Sequence, residues 1–254
     1  MMSLSGKVII VTGGASGIGQ AAAKLFVSEG ASVVIADMAE ENGVSTCRDI
    51  EDSGGKCHFV RTNVVVEAEV RNLVDETIRK FGKLDGAFNN AGVEQSWRRL
   101  HELDEVQWRR VLDINLTGIF LCMKYEIAAM LPNKAGSIVN TSSSLGQTAV
   151  PYTSDYVASK HGVLGLSKAA ACDYAKDGIR VNALMPGLTQ TPMGDRVPDM
   201  PELHQMFGNF MGILPMGRLG QPGEIAQGAA WLLSDAASFV TGIGLPVDGG
   251  YLAV

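Results

Sequence analysis

Aromatic residues, charged residues and cysteines are all scarce in this sequence. Aromatic residues make up 6% and charged residues 19% of the 254 positions, and the formal net charge is −6. The absence of a basic cluster argues against binding to nucleic acid or to an anionic membrane surface. Residues 135–154 carry no charge but are rich in Ser, Thr and Gly, so we expect no membrane span there.

The cysteines, histidines and first residues exclude further classes of protein. The four cysteines are scattered and include no Cys-x-x-Cys pair, so we expect reduced thiols. The four histidines lack the spacing of metal ligands, which predicts no metal site. No apolar stretch typical of a signal peptide precedes the first strand pattern, and we expect a cytoplasmic protein.

Apolar residues and glycine are abundant, at 46% and 30 residues respectively. Nearly continuous apolar runs are typical of parallel strands covered on both faces, and the longer segments between them follow helical spacing. The strands are predicted at residues 7–12, 32–37, 57–62, 84–89, 137–141, 180–185 and 244–247. The helices are predicted at residues 17–29, 39–53, 67–81, 102–131, 156–176 and 222–233. This alternation predicts one α/β domain over residues 1–254 with a doubly wound parallel sheet, the Rossmann fold.

One segment departs from this alternation. Residues 186–220 hold five prolines and several methionines with weak periodicity. A stretch of this length without clear structure in a compact domain is usually functional. We therefore predict a helical substrate lid at about residues 188–220.

A glycine-rich turn follows the first predicted strand. Its sequence is Thr12-Gly13-Gly14-Ala15-Ser16-Gly17-Ile18-Gly19, with the spacing Gly-x-x-x-Gly-x-Gly, and a helix follows it. Glycines allow the backbone to approach a pyrophosphate, which binds at the positive end of the helix. An ordinary glycine turn is the alternative interpretation, but the position between strand and helix favours a dinucleotide site.

Asp37 ends the second predicted strand. A carboxylate at this point accepts hydrogen bonds from adenosine ribose hydroxyls and repels a 2′-phosphate. Neither Met38 nor Ala39 supplies a basic group for that phosphate. The sequence therefore favours NAD over NADP, with a solvated strand-end Asp as the alternative.

Tyr156 and Lys160 lie four residues apart on one predicted helix and so share a face. A nearby ammonium favours the phenolate, and we expect the pKa of Tyr156 to be lowered for proton transfer. Ser143 follows the fifth predicted strand at the edge where doubly wound sheets bind ligands, and its hydroxyl can bond a substrate oxygen. Alone, the spacing of Tyr156 and Lys160 indicates a packed tyrosine and a surface lysine. Ser142 and Ser144 are alternatives to Ser143 as the serine that bonds the substrate oxygen.

Together these motifs resemble the short-chain dehydrogenase/reductase family across essentially the whole chain. The matching motifs are Thr12-Gly13-x-x-x-Gly17-x-Gly19, Asn89-Asn90-Ala91-Gly92, Asn115, Ser143, Tyr156-x-x-x-Lys160 and Pro186-Gly187. The resemblance implies Tyr156 as catalytic acid/base and Ser143 as the group that polarises the reacting oxygen. It further implies that Lys160 binds the nicotinamide ribose and lowers the pKa of Tyr156. Asn115 matches the Asn that kinks a helix and holds a water linking Lys160 to solvent.

The same resemblance implies the cofactor site. The turn after the fourth strand is expected to lie against the adenosine ribose, and the turn after the sixth to hold the carboxamide. The expected cofactor-binding residues are Gly13, Ser16, Gly17, Ile18, Gly19, Asp37, Asn63, Val64, Asn90, Ala91, Gly92, Tyr156, Lys160, Pro186, Gly187, Thr189 and Thr191.

The sequence departs from the family pattern at two neighbouring places. Asn63 stands where the family commonly has Asp, and its carbonyl can still accept from the adenine amino group. Val65 and Val66 replace the usual polar cap before the third helix, which should cost about 1 kcal/mol of local helix stability.

The predicted substrate site is apolar and flexible, which favours a small uncharged alcohol or ketone over a sugar phosphate. The same methionines and phenylalanines can instead be packing or a subunit contact. The expected substrate-binding residues are Ser143, Leu145, Gln147, Tyr152, Leu188, Glu94, Met193 and Phe207, with Gln95, Met206 and Phe210 beside them.

These residues predict an NAD-dependent oxidoreductase that interconverts a secondary alcohol and a ketone by hydride transfer. A catalytically silent NAD-binding regulatory protein is the alternative, although such proteins typically lose the Tyr or Lys. An extended epimerase or dehydratase usually has a different glycine spacing and a longer substrate domain. The resemblance also implies a homotetramer, with faces on helices at about 104–131 and 155–176 and on the last helix and strand.

Overall fold

The computed structural model describes residues 4–196 and 198–254, which form a seven-stranded parallel sheet between two layers of helices. The strand order is β3-β2-β1-β4-β5-β6-β7. Strands β1 to β3 are added towards one edge of the sheet and β4 to β7 towards the other, so the order of strands reverses between β1 and β4. The strands are β1 (Val8–Thr12), β2 (Ser32–Asp37), β3 (Lys56–Arg61), β4 (Gly86–Asn89), β5 (Gly136–Thr141), β6 (Ile179–Pro186) and β7 (Gly244–Val247). The predicted doubly wound fold is confirmed.

Eight α-helices lie in the described residues, and most connect neighbouring strands. The predictions at 67–81 and 222–233 match the observed ends, and the other predicted ends differ by at most three residues, as when the helix predicted at 156–176 begins at Ser154 and ends at Tyr174. The helices are α1 (Gly17–Ser28), α2 (Glu40–Asp52), α3 (Glu67–Phe81), α4 (Glu105–Leu112), α5 (Gly118–Met130), α6 (Ser154–Tyr174), α7 (Pro201–Ile213) and α8 (Pro222–Leu233).

The apolar strand residues divide into two cores, one on each face of the sheet. All five residues of β1 are buried, and alternate ones point to opposite faces. Ile9 and Val11 pack with Phe26 of α1 and with α8 on one face. Ile10 packs with helices α3, α5 and α6 on the other face. Burial on both faces explains why the strand sequences are continuously apolar rather than alternating.

The long helix predicted at 102–131 runs from Glu105 to Met130 and is interrupted at Asn115, where the family resemblance implied a kink. A π-helical turn, Asp113–Thr117, separates α4 from α5, because Asn115 directs its side-chain amide to the backbone of Val93. By length and hydropathy the combined run Glu105–Asn133 would pass for a membrane span. The structure uses it as a core helix, with Ile119 buried against the sheet.

The prediction of four reduced thiols is also corrected. Cys47 of α2 and Cys57 of β3 are joined by a disulfide, whereas Cys122 and Cys172 are free. The two bonded cysteines lie ten positions apart, on a helix and on the strand it packs against, which brings their Cα atoms to 5.2 Å. The sequence lacks a motif that announces this pairing. The cytoplasmic location loses this support and stays a prediction.

The segment predicted as a lid runs from the end of β6 to the start of α8. It contains a short turn at Gly194–Arg196 and the helix α7, and its ends are joined where Gly220 N donates to the carbonyl oxygen of Leu188. Helix α7 therefore stands beside the carboxyl edge of the sheet, where the reversal between β1 and β4 leaves a crevice.

Candidate active site

The glycine turn after β1 brings three backbone segments into close contact. Gly13 has a φ of +66°, and a Cβ there would come within 2.9 Å of the Cα of Ala91. A Cβ on Gly19 would collide with the carbonyl oxygen of Gly13. The start of α1 therefore sits tightly against the turn, with its free N–H groups directed into the crevice. The turn fits a pyrophosphate.

The turn after β4 is fixed to β1 by its hydrogen bonds. The backbone N–H groups of Asn90 and Ala91 donate to Thr12 Oγ1 at 3.0 and 3.1 Å. The side-chain amide of Asn90 donates to the carbonyl oxygens of Thr12 and Gly13. The two turns thus form one rigid side of the crevice at the carboxyl edge of the sheet.

A cavity of about 310 Å³ lies between these turns and the end of β2. Asp37 lines it, and its two carboxylate oxygens accept from the backbone N–H groups of Ala15 and Ala39, each at 3.0 Å. Each oxygen keeps a second lone pair for a ribose hydroxyl. Arg196 lines the same cavity, but its guanidinium is 3.3 Å from Glu94 Oε2.

A second cavity of about 210 Å³ adjoins the first. Ser143, Tyr156 and Lys160 all line it, although they come from the end of β5 and from α6. The ammonium nitrogen of Lys160 lies 5.4 Å from the centre of the Tyr156 ring and donates to the carbonyl oxygen of Thr141 at 2.8 Å. The three side chains that sequence analysis grouped are therefore neighbours in space.

The electrostatics of this group differ from the sequence-based expectation. Removal from water raises the pKa of Tyr156, and a hydrogen bond from Ser143 acts in the opposite direction. The expected lowering of the Tyr156 pKa is therefore wrong, because burial has the largest influence and outweighs the hydrogen bond from Ser143. Burial also lowers the pKa of Lys160 to about 8, so the amine stays largely protonated at neutral pH.

Asn115 is fully buried in the π-helical turn between α4 and α5. Its Oδ1 accepts from the backbone N–H of Val93 at 2.8 Å, and its Nδ2 donates to the carbonyl oxygen of Val93 and to Ser159 Oγ. A Cβ on Gly92 would lie 3.2 Å from Asn115 Oδ1 and 3.7 Å from Lys160 Nζ. Asn115 therefore lies close to Lys160 and fixes the backbone of Val93, near the start of the segment after β4.

Every expected cofactor residue except Gly19 lines one of the two cavities. Gly19 instead makes the close approach to Gly13. The first cavity is lined by Gly13, Ser16, Gly17, Ile18, Asp37, Asn63, Val64, Asn90, Ala91, Gly92 and Thr191. The second is lined by Ile18, Asn90, Gly92, Tyr156, Lys160, Pro186, Gly187, Thr189 and Thr191.

The two departures from the family pattern have visible structural consequences. Asn63 Oδ1 accepts from the backbone N–H of Val65, so the amide is engaged within its own turn. Val66 at the start of α3 gives no side-chain cap, as expected. Glu69, in the first turn of α3, instead binds the preceding turn, because its carboxylate accepts from the backbone N–H of Asn63 at 2.7 Å.

The expected substrate residues divide into two groups. Glu94, Leu145, Leu188 and Met193 line the second cavity with Ser143. Gln147 and Tyr152 do not line it, since the short helical turn Ser144–Gly146 leaves Gln147 exposed and Val150 is the next residue that lines the cavity. A substrate contact of Gln147 or Tyr152 stays a prediction. The side chain of Phe207 lies outside the described residues, as does that of Met206. Gln95 and Phe210 also line the cavity.

Sequence analysis missed two residues beside Tyr156. Trp97 lines the second cavity and is 8% exposed. Asp155 is 1% exposed and accepts from Ser96 and from the backbone N–H of Tyr156. An Asp next to Tyr156 in the first turn of a helix is a visible signal in the sequence, whereas the approach of Trp97 depends on an irregular segment.

Comparison with known proteins agrees with this geometry. A family model described as enoyl-(acyl carrier protein) reductase matches residues 13–252. A 2,5-dichloro-2,5-cyclohexadiene-1,4-diol dehydrogenase of Sphingobium indicum is 49% identical over 255 residues, covering 100% of both chains. A cyclohexanol dehydrogenase of Acinetobacter sp. is 42% identical over 245 residues, covering 96% of this chain and 94% of the relative. The crystal structure of levodione reductase has a TM-score of 0.94 and 34% identity, covering 98% of this chain and 99% of that chain.

The chain belongs to the short-chain dehydrogenase/reductase family, as the motifs indicated. It is an oxidoreductase of the kind that works with a nicotinamide cofactor and a small-molecule substrate.

Proposed function

We propose that this protein is an NAD-dependent dehydrogenase that interconverts a secondary alcohol on a small uncharged ring and the corresponding ketone. The observation that carries this proposal is the convergence of Ser143, Tyr156 and Lys160 on one cavity that adjoins the cavity of the glycine turn. This arrangement supports proton transfer beside a dinucleotide site. Gly13, Ser16 and Gly17 line the adjoining cavity at the start of α1, and this turn fits the cofactor's pyrophosphate.

A nicotinamide cofactor held by the glycine turn, Asp37 and Lys160 would supply the hydride acceptor for alcohol oxidation and the hydride donor for ketone reduction. In oxidation, the alcohol O–H bond breaks and its proton passes to the Tyr156 oxygen, while Ser143 donates to the reacting oxygen. The ammonium of Lys160 stabilises the phenolate that must exist before the proton is accepted. In reduction, Tyr156 returns the proton to the carbonyl oxygen. The raised pKa of Tyr156 keeps the phenol protonated, as this direction requires.

The preference for NAD is supported by Asp37. Its carboxylate lies in the adenosine cavity with oxygens free to accept from two ribose hydroxyls. A 2′-phosphate would meet this negative charge, and the side chains of Met38 and Ala39 offer no compensating cation. Arg196 is already engaged by Glu94.

A cyclic substrate is supported by the relatives and by the cavity. The relatives at 49% and 42% identity are named for a cyclohexadiene diol and for cyclohexanol. Around Ser143 and Tyr156 the cavity presents apolar side chains on several sides, including Trp97, Leu145 and Leu188. These surfaces match a compact, uncharged ring better than a charged chain.

A homotetramer remains our expectation for the assembly. On the helices expected to form its faces, Phe120 of α5 is exposed, whereas Trp231 of α8 packs against the core of its own chain. Phe120 of α5 is therefore the better indicator of a contact with a second copy. Sedimentation at several protein concentrations tests this expectation.

A screen of cyclic and acyclic secondary alcohols and ketones tests the proposed function. NADH formation or consumption is followed by absorbance, and every substrate is repeated with NADP in place of NAD. We expect turnover of ring alcohols such as cyclohexanol with NAD at a higher kcat/KM than with NADP. Tight NADH binding without turnover of any alcohol or ketone would instead support the catalytically silent regulatory protein.

A further inference from the structure

The segment 90–99, between β4 and the short turn Leu100–Glu102, has almost no regular structure but is held at several points, two of them through buried side chains near the site. Val93 is bonded through both its N–H and its carbonyl oxygen to the side chain of Asn115. Ser96 is bonded through its N–H and its hydroxyl to Asp155. The attachment of Val93 lies close to Lys160, and the attachment of Ser96 lies beside Tyr156. Segment 90–99 is therefore fastened to the elements that carry the site.

Asp155 makes three hydrogen bonds from a buried position at the start of α6. Its Oδ2 accepts from Ser96 Oγ at 2.6 Å and from Ser96 N at 3.0 Å, and its Oδ1 accepts from Tyr156 N at 2.8 Å. A carboxylate in the first turn is also favoured by the helix dipole. Because the carboxylate is 1% exposed, water competes little for these bonds. Asp155 therefore couples Ser96 to the backbone of Tyr156.

The residue after Ser96 shows what this attachment holds in place. Trp97 has a φ of +55°, a left-handed conformation that a bulky side chain rarely adopts. Such strain persists only where the surroundings fix the backbone. On the other side of Trp97, Arg98 forms an isolated parallel bridge with Thr153, just before α6. Trp97 is thus fixed on both sides to the start of the helix that carries Tyr156, with its side chain lining the substrate cavity.

We propose that Asp155 and Ser96 are a pair of positioning residues that hold Trp97 as a specificity-determining side of the substrate cavity. This inference rests on the proposed function. The indole presents a flat apolar face to a ring substrate, which gains contact area that a small acyclic alcohol lacks. Because the attachment runs to the backbone of Tyr156, the indole keeps a fixed place relative to the phenol.

The test compares KM and kcat for cyclohexanol and for 2-butanol, a small acyclic alcohol. In Ser96→Ala the loss of a hydrogen bond to a carboxylate should raise KM for cyclohexanol about tenfold. The value of kcat for cyclohexanol and both constants for 2-butanol should change less than about twofold. Asp155→Asn should act in the same direction, because an amide cannot accept from all three donors. The matched control is Ser53→Ala, which removes an exposed serine hydroxyl bonded to the carbonyl oxygen of Asp49, at the end of α2.

A double-mutant comparison separates positioning from general loosening. In a Trp97→Ala background, addition of Ser96→Ala should leave KM for cyclohexanol unchanged, since the side chain that Ser96 holds is gone. If Ser96→Ala raises KM equally for both alcohols, or still raises it in the Trp97→Ala background, the proposal is overturned.

An independent measurement keeps this inference separate from the proposed function. In a protein with Trp108→Phe and Trp231→Phe, Trp97 is the remaining tryptophan, and quenching of its fluorescence by acrylamide reports its exposure. Ser96→Ala should increase the quenching constant about twofold, because loss of the attachment frees the indole. An unchanged constant refutes the positioning role even if cyclohexanol is a substrate. An increased constant in an enzyme that turns over none of the screened alcohols and ketones supports positioning and refutes the proposed function.

Discussion

Replacing Glu126 with Gln should make this protein more stable at alkaline pH. Glu126 lies on α5, fully buried against the sheet, and its Oε2 accepts from Asn89 Nδ2 at 2.9 Å. No hydrogen-bond partner for its Oε1 lies among the described residues. Burial raises the pKa of Glu126 to about 7, and the hydrogen bond from Asn89 offsets this only in part. At neutral pH the folded chain therefore holds a carboxyl close to its ionisation point inside a core.

The size of the effect follows from the difference between this pKa and the usual value of 4.5 for Glu. That difference corresponds to about 3 kcal/mol, at about 1.4 kcal/mol for each pH unit. Between these two pKa values the folded chain keeps a proton that the unfolded chain has released. The stability that the proton on Glu126 gives to the folded chain is therefore complete below the unfolded pKa and is lost as pH rises through about 7. Gln is uncharged at every pH and keeps an oxygen for Asn89.

Urea unfolding at about pH 5 and about pH 8, at one protein concentration, measures this difference. We expect Glu126→Gln to be within about 1 kcal/mol of the wild type at the lower pH and more stable by about 2–3 kcal/mol at the higher pH. Glu51→Gln, at an exposed position near the end of α2, is the matched control and should show no such pH dependence. An equal change in unfolding free energy at both pH values would refute the argument.

Three further changes test other parts of the account. Asp37→Asn keeps the shape of the side chain but removes its charge. We expect kcat/KM with NAD to fall about tenfold and kcat/KM with NADP to rise. Initial rates with both cofactors measure these changes. An unchanged ratio would contradict the role of Asp37. Ser143→Ala should lower kcat about 10²-fold with NADH affinity retained, because the donor to the reacting oxygen is lost; single-turnover rates and NADH fluorescence measure the two quantities. Cys47→Ser should lower the free energy of unfolding by about 2–3 kcal/mol through loss of the bond to Cys57, while activity changes little. If urea unfolding of Cys47→Ser matches the wild type, the disulfide contributes nothing to stability.

The sheet and its helices were predictable because both depend on local pattern. Continuous apolar runs such as residues 8–12 indicate buried parallel strands, and the alternation with helical segments sets the layers. The cofactor side was predictable for a related reason. The glycine turn and Asp37 act through their place at the end of a strand, which sequence order already fixes.

The features that were wrong or missed depend on contacts between distant residues. The break between α4 and α5 was implied by the resemblance alone and not by periodicity, because it depends on the bond of Asn115 to Val93, 22 positions away. The pairing of Cys47 with Cys57 requires α2 to pack on β3, and the exposure of Gln147 depends on the turn after Ser143. The pKa of Tyr156 was misjudged because spacing reports a nearby ammonium but not the extent of burial.

The most direct test of the account is the replacement of Tyr156 with Phe, which removes one oxygen and leaves the ring in place. If Tyr156 exchanges the proton of the reacting oxygen, kcat for the best alcohol found in the screen should fall by about 10³-fold or more. The Kd for NADH, measured by fluorescence titration, should stay within about threefold of the wild type, because the two glycine-lined turns are unchanged. Turnover within tenfold of the wild type, with NADH bound normally, would contradict the assignment of this phenol as the acid and base.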